Sequence, residues 1–195
     1  MGQLRLVLRQ ANVDDFGTVH SLLTEASRWL RTKDTDQWAA PWPDANGRNE
    51  RIKKAIGAGR TWIAWDHRRP AATLTASPND HRIWPGACVR DPAVYVRRIV
   101  VSRGYAGQGL GAQLLDWAGL RASRIYGAVW VRVDVWTTNN ELHKYYRDQG
   151  FKRCGLSPAP DYPSAALFQK PIDEIKPPEN PLFQEASLKG RPPPW

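Results

Sequence analysis

Alternating and helical patterns of hydrophobic residues divide the first 170 residues into strands and helices. The stretch LRLVLR (4–9) alternates hydrophobic and polar positions, as a strand does. Hydrophobic residues then recur three or four positions apart from about Asp14 to Arg31, which predicts a helix, and a shorter helix is expected over 48–59. Three strands are predicted after these helices, over 60–66, 69–77 and 93–102.

The rest of this region continues with helices and strands. One face of a further helix carries four hydrophobic residues, Leu110, Leu114, Leu115 and Ala118. Valines alternate with other residues over 128–136, which predicts a strand with two different faces. A helix that ends at Gly150 and two short strands, over 151–154 and 164–170, complete the pattern. This order predicts one α/β (α+β) domain over 1–170, with a mixed sheet that combines antiparallel meanders and one strand–helix–strand crossover.

Composition narrows the class of protein and its surroundings. No stretch of the 195 residues approaches the roughly 18 apolar residues of a membrane span, and the N-terminus lacks a signal-peptide pattern. Cys88 and Cys154 match no metal-binding spacing, so we expect no metal. From Pro171 the chain is rich in proline without a sustained period, which predicts an extended tail over 171–195. We therefore expect a cytoplasmic protein that does not interact with membranes.

The charge of the chain favours anionic partners. The net charge is +9, and the tail has three basic and four acidic residues, so residues 1–170 carry +10. Such an excess attracts phosphorylated cofactors, acidic proteins or nucleic acid. The basic residues are scattered and form no block, which argues against a nucleic-acid-binding arm.

The stretch RRIVVSRGYAGQGLGAQLLDWA (97–118) places three glycines between a strand and a helix. Unpaired N–H groups at a helix N-terminus, together with the helix dipole, form a site for phosphate or pyrophosphate. A tight turn needed only for packing is the alternative. The sequence Gly111-Ala112-Gln113 is not that of a P-loop. A dinucleotide fingerprint is also excluded, because the next strand ends without an acidic residue.

Two stretches about thirty residues apart carry a family pattern. The first is met at Ile99, Val101, Gly109 and Gly111, with Ala106 at a position where the pattern has Arg or Gln. The second, Asn-x6-Tyr-x3-Gly-Phe, is met at Asn139, Tyr146, Gly150 and Phe151. Together they resemble the acyl-CoA-binding core of the GNAT superfamily of N-acetyltransferases, over roughly residues 4–170.

The resemblance implies how the cofactor binds. It implies a mostly antiparallel sheet flanked by helices and splayed between strands 4 and 5, where the pantetheine arm of acetyl-CoA or another acyl-CoA pairs with the exposed edge. Backbone amides of the glycine loop would bind the pyrophosphate, with Arg103 as a nearby positive charge. The implied cofactor-binding residues are Ile99, Val100, Val101, Ala106, Gly107, Gln108, Gly109, Leu110, Gly111, Ala112, Asn139 and Tyr146.

The resemblance also implies the catalytic residues. Tyr146 matches the general acid that protonates the leaving thiolate, and an aromatic ring packed against the sheet is the alternative. The fourth strand lacks the glutamate that some members use as general base. Asp134 is a candidate replacement, and an ion pair with Arg97, Arg98 or Arg132 is the alternative. His143 is expected on an exposed helix face.

The acceptor is expected to meet the first two helices and the loop that joins them. Candidate substrate-binding residues are Trp29, Asp36, Trp38 and Arg97. Aromatic and carboxylate groups suit an amine, whereas Arg97 and Arg98 suit an acceptor that bears a carboxylate or phosphate. The predicted function is acyl transfer from acyl-CoA to the primary amine of a small molecule. Two alternatives remain: a donor that is phosphopantetheine on an acidic carrier protein, and a non-catalytic regulator that binds cofactor or nucleic acid. The tail is a candidate homodimer contact.

Overall fold

The computed structural model describes residues 6–78, 83–86 and 90–186. The start of the predicted first strand, Cys88 and the end of the predicted tail lie outside these residues. The described helices are α1 (Phe16–Leu30), α2 (Ala45–Gly57), α3 (Leu110–Tyr126) and α4 (Asn140–Asp148). The strands are β1 (Leu6–Gln10), β2 (Thr61–Asp66), β3 (Arg69–Ser77), β4 (Ala93–Val101), β5 (Trp130–Val135), β6 (Lys152–Leu156), β7 (Ala166–Pro171) and β8 (Phe183–Glu185).

These strands form one sheet in the order β6-β7-β5-β4-β3-β2-β1-β8. The pairs β4–β5 and β1–β8 are parallel, and the other neighbouring strands pair antiparallel. The chain reaches β5 from β4 through α3, which is the predicted strand–helix–strand crossover. The predicted fold class, a mixed and mostly antiparallel sheet flanked by helices, is confirmed.

Helices cover both faces of the sheet. The hydrophobic face of α3 packs against Val94, Val96 and the valines of β5. Helices α1 and α2 pack against Ile63 and Val100 on the other face. In β5 the alternation predicted from the sequence holds, since its three valines are at most 1% exposed and lie on the α3 face. Asp134 therefore projects toward the opposite face.

The sheet opens between β4 and β5. These strands pair only from Ala93–Trp130 to Val96–Val133, so residues 97–101 of β4 pair with β3 alone. A bulge accompanies the opening, because the pairs Arg97–Thr75 and Val100–Thr73 leave one extra residue on β4. The side of β4 that faces away from β3 is thus an open strand edge over 97–101, as the resemblance implied.

Part of the predicted tail packs on the domain. Residues Phe183–Glu185 form β8, which pairs in parallel with β1 at the end of the sheet. Glu185 accepts a hydrogen bond from Trp117 Nε1 at 3.0 Å and forms an ion pair with Arg121 at 3.0 Å, so β8 also binds α3. Three residues are too few to show a period, which is why the pattern of the sequence missed this strand.

Helix ends follow local capping groups. Asp44 accepts a hydrogen bond from Gly47 N at 2.8 Å and starts α2 three residues earlier than expected. Gly127, with φ 72°, ends α3. Within the described ranges, none of the helices has both the length and the apolar character needed to cross a bilayer.

Candidate active site

A cavity of about 1740 Å³ passes through the opening between β4 and β5. On one face of the sheet it is lined by the start of α3 and by α4, and on the other by α1, α2 and the loop that joins them. The open edge of β4, including Ile99 and Val101, forms its wall at the centre. Two ligands entering from opposite faces therefore meet beside this strand edge.

The glycine loop presents a continuous run of unpaired backbone N–H groups. Ala106 N donates to Arg103 O at 3.3 Å, and Gln113 N donates to Gly109 O at 3.1 Å. Between them, the amides of residues 107–112 find no acceptor within the part of the chain that the structure describes. Gly107 and Gly109 have φ 77° and 79°, a conformation that glycine adopts without steric cost. This loop opens the 17-residue helix α3 and fits an anion such as pyrophosphate.

Most of the predicted cofactor-binding residues line the cavity. Those present in its wall are Ile99, Val100, Val101, Ala106, Gly107, Gly109, Leu110, Gly111, Asn139 and Tyr146. Gln108 and Ala112 are not part of this lining, although their amides belong to the unpaired run. An added Cβ at Gly111 would lie 3.0 Å from the Tyr145 hydroxyl, so α4 closes tightly over the start of α3.

Tyr146 lies in the part of the cavity bounded by α4. Its ring packs against Phe151 at 5.4 Å and Phe168 at 6.3 Å between centroids, and the residue is 6% exposed. The hydroxyl makes no hydrogen bond to any residue in the described ranges. Burial raises the pKa of Tyr146 well above that of free tyrosine, with smaller contributions from Tyr145 and Asp134. The phenol is therefore neutral and able to donate its proton.

Asp134 is held by two partners. Arg97 Nε donates to its Oδ1 at 2.7 Å, and the Tyr162 hydroxyl donates to its Oδ2. The carboxylate side chain is 4% exposed. For Arg97, burial lowers the pKa but the contacts with Asp134 and Tyr162 raise it overall, so its guanidinium keeps its charge. The ion pair that the sequence left as an alternative for Asp134 is therefore formed with Arg97.

The loop between α1 and α2 crosses to the end of β5. Asp36 accepts hydrogen bonds from Trp136 Nε1 at 2.8 Å and Thr138 Oγ1 at 2.5 Å, and these bonds lower its pKa. Asn139 caps α4 through Leu142 N and donates to Gln37 Oε1 at 2.6 Å. Asp36 thus holds the loop in place without lining the cavity. Of the predicted acceptor residues, Trp29, Trp38 and Arg97 do line it.

Several residues at the cavity were not in the predicted site. Tyr162, from the β6–β7 loop, packs edge-on against Trp42 with centroids 5.0 Å apart. Glu25 of α1 accepts hydrogen bonds from Ser102 Oγ at 3.1 Å and Arg103 N at 2.7 Å, and so fixes the turn that leads to the glycine loop. These contacts join segments that are far apart in the chain, so no local sequence pattern predicts them.

Two further outcomes concern histidine and metal. His143 was expected on an exposed face of α4, and this was wrong: it is 4% exposed and its Nε2 lies 2.8 Å from Trp136 O. It packs against Phe168, with centroids 5.3 Å apart, because it occupies the inner face of α4. Across the described ranges, no group of His, Cys, Asp or Glu residues is arranged to hold a metal ion.

Comparison with known proteins places this geometry in a family. The model of the acetyltransferase (GNAT) family matches residues 23–151. The uncharacterized N-acetyltransferase YesJ of Bacillus subtilis (strain 168) is 28% identical over 165 residues, which cover 82% of this chain and 86% of YesJ.

Solved structures show the same fold. A GNAT-family acetyltransferase of Listeria monocytogenes 4b F2365 aligns with a TM-score of 0.64 at 21% identity, over 85% of this chain and 94% of that one. The PaiA N-acetyltransferase of Thermoplasma acidophilum, a complex with coenzyme A, aligns with a TM-score of 0.64 at 14% identity, over 85% and 98%. The family match covers both the glycine loop and Tyr146, and the chain belongs to the GNAT family of acetyltransferases.

Proposed function

We propose that this protein transfers an acetyl or other short acyl group from acyl-CoA to the primary amine of a small molecule. The observation that carries the proposal is the run of unpaired amides over 107–112 beside an open strand edge. A diphosphate and an extended amide-containing arm are the two parts of coenzyme A that such surfaces bind. Family membership supports a transferase that handles acyl groups.

The two surfaces bind two different parts of the donor. The amides of 107–112 and the dipole of α3 attract the pyrophosphate, and Arg103 adds a positive charge in the cavity wall. The free edge over 99–101 accepts the pantetheine arm as an added strand. A backbone N–H on this edge stabilises negative charge on the thioester oxygen as the amine attacks. Much of the rate enhancement then comes from holding the two reactants in line.

Tyr146 supplies the proton for the departing thiolate. Its side chain lines the cavity, and its raised pKa keeps the proton in place at neutral pH. A thiol in water has a pKa near 8.5, below that of the buried phenol, so transfer of the proton to the departing thiolate is uphill and requires the coenzyme A sulfur to lie within hydrogen-bond distance of the Tyr146 hydroxyl. The raised pKa keeps the phenol protonated and so excludes Tyr146 as a general base.

Asp134, the candidate base, is better suited to positioning. Both of its oxygens are engaged, one by Arg97 and one by Tyr162, and a proton taken from an amine would disrupt this buried ion pair. We propose that Asp134 orients Arg97 at the cavity wall and that the amine loses its proton to water.

Calorimetric titration and steady-state kinetics test this function. Acetyl-CoA is expected to bind in the micromolar range, and Tyr146→Phe is expected to lower kcat roughly 100- to 10,000-fold with binding retained. The matched control is Tyr126→Phe, because the Tyr126 hydroxyl bonds Ala93 O outside the cavity. Equal rates in wild type and Tyr146→Phe would remove Tyr146 from the chemistry.

The same titration separates the donor alternatives. Ala106 lacks the side chain that supports the pyrophosphate in the family pattern, which leaves a carrier-bound phosphopantetheine as the second candidate donor. That donor has one phosphate and needs fewer of the amides of 107–112. Binding of an acyl carrier protein without binding of acetyl-CoA would favour the carrier, and binding of neither would refute the function.

A further inference from the structure

Arg98 occupies an unusual position at the opening of the sheet. It follows the last residue of β4 that pairs with β5 by only two positions, and it lies in the bulge between the pairs with Thr75 and Thr73. Its φ of 48° is in the left-handed region, which a residue with a Cβ adopts at a cost. The bulge directs the long side chain toward α2, on the face of the sheet where an acceptor enters.

Positive charge accumulates around Arg98. Its half-buried side chain lies near the guanidinium groups of Arg97 and Arg51, and desolvation followed by these two charges lowers the pKa of Arg98 to about 10. The carboxylate of Asp134 attracts the charge of Arg98, but it already forms an ion pair with Arg97 at 2.7 Å. At neutral pH Arg98 remains protonated. In the described residues no carboxylate forms an ion pair with it.

Arg98 has no partner in the described parts of the chain. It makes no hydrogen bond or ion pair there, although its side chain lines the cavity. The half-buried guanidinium has five N–H donors, and none of them has an acceptor in the described residues. The structure thus has a positive donor group aimed into a ligand cavity, and an anionic ligand is the natural partner.

Arg51, Trp42 and Tyr162 line the part of the cavity around Arg98, which is called the acceptor chamber below. The Arg51 guanidinium lies over the Trp42 ring, 4.7 Å from its centroid, and donates to the Trp42 carbonyl oxygen. Tyr162 packs edge-on against the same ring, with centroids 5.0 Å apart. These contacts hold the chamber in one shape and surround its positive end with flat apolar surfaces.

We propose that Arg98, with Arg51 beside it, binds the carboxylate or phosphate of an acceptor whose amine is acylated. This inference rests on the proposed acyl transfer and narrows the acceptor from small amines in general to anionic amines. The anion is not the pyrophosphate of the donor. The pyrophosphate is expected at 107–112, beyond the end of β4. Four residues of extended chain, about 13 Å, separate Arg98 from Ser102, where β4 has ended.

Matched pairs of acceptors test the inference. Rates of thiol release from acetyl-CoA are measured with tryptophan against tryptamine, and with phosphoethanolamine against ethanolamine. In the wild type, kcat/KM is expected to be at least about tenfold higher for the amine that bears a carboxylate or phosphate than for the matched amine without that group. A charge-assisted hydrogen bond provides a difference of this size. The pair with the larger ratio identifies carboxylate or phosphate as the group bound.

Variants of Arg98 locate the effect. Arg98→Gln is expected to lower kcat/KM about 10- to 100-fold for the amine that bears a carboxylate or phosphate, mainly through KM. The kcat/KM of the matched amine without that group should not change. Arg98→Lys keeps the charge and should retain part of the preference. Arg147→Gln is the matched control, because Arg147 is exposed on α4 and does not line the cavity.

The outcomes distinguish this inference from the function on which it rests. If acetyl-CoA does not bind, the proposed function itself is refuted. If acetyl-CoA binds but neither anionic amine is accepted, or if Arg98→Gln lowers both members of a pair equally, the anionic acceptor is refuted and acyl transfer stands. Thermal melting of each variant shows whether it folds, and Arg98→Lys carries the comparison if Arg98→Gln does not.

Discussion

Gly119 permits the close approach of α3 to β5, and replacing it with alanine tests the packing behind the glycine loop. A Cβ at this position would lie 2.5 Å from Val131 Cγ2, 2.9 Å from Ile175 Cδ1 and 3.4 Å from Ile172 Cγ1. Carbon atoms in contact are normally about 3.5–4.0 Å apart. Val131 is 0% exposed and Ile175 is 6% exposed, so neither has open space into which it can move.

The expected cost follows from two opposing effects. Overpacking a filled core costs about 1–3 kcal/mol, and the 2.5 Å approach puts this position at the upper end of that range. Alanine in place of glycine within a helix returns about 1 kcal/mol. The net expectation for Gly119→Ala is a loss of about 2 kcal/mol in the free energy of unfolding, or a Tm lower by about 4–8 °C for a chain of this size.

Urea denaturation and thermal melting measure this loss, and α1 provides the control. Gly17 lies in α1, and a Cβ added there would have no atom within 4 Å, so Gly17→Ala should leave stability unchanged or raise it. If Gly119→Ala is as stable as Gly17→Ala, α3 is not pressed against β5 at Gly119. The position of the glycine loop relative to the open strand edge would then have no such support.

Two other predictions concern the loop and the buried tyrosines. Gly109→Ala places a residue with a Cβ at a φ of 79°, which costs about 1–2 kcal/mol, and should raise the Kd for acetyl-CoA at least tenfold. Gly104→Ala is the control, because Gly104 has no such φ, and it should change the Kd little. Equal Kd values for the two variants by calorimetry would contradict the amide site. Burial raises the pKa values of Tyr126, Tyr146 and Tyr162, so above about pH 10 the unfolded chain loses protons first and the free energy of unfolding falls. The lowered pKa values of Arg98 and Arg121 act in the opposite direction but belong to two groups against three. Urea titrations at about pH 9 and 11 that show rising stability would contradict this assignment.

The order of elements was predictable because each long element carries its own period. The four hydrophobic residues of α3 named from the sequence are at most 1% exposed, and the valines of β5 alternate as expected. The opening between β4 and β5 came from resemblance and not from period, since hydrophobicity does not say where two strands stop pairing. Strand β8 was missed because its three residues are held by pairing with β1 and by Arg121, both distant in sequence.

The two halves of the site differ in how far sequence reveals them, and the reason is physical. A pyrophosphate site made of backbone N–H groups depends on consecutive residues, so glycines between a strand and a helix indicate it directly. The acceptor chamber depends on side chains from α2, β4 and the β6–β7 loop, which meet only in the fold. Arg98 illustrates the difference: in the sequence it is one of two adjacent arginines in a strand, where alternation would send them to opposite faces. The bulge breaks that alternation, and both arginines reach the cavity while Asp134 pairs with only one of them. The left-handed φ of Arg98 and its place in the cavity wall beside Arg97 and Arg51 are the observations on which the proposed selectivity for an anionic acceptor rests.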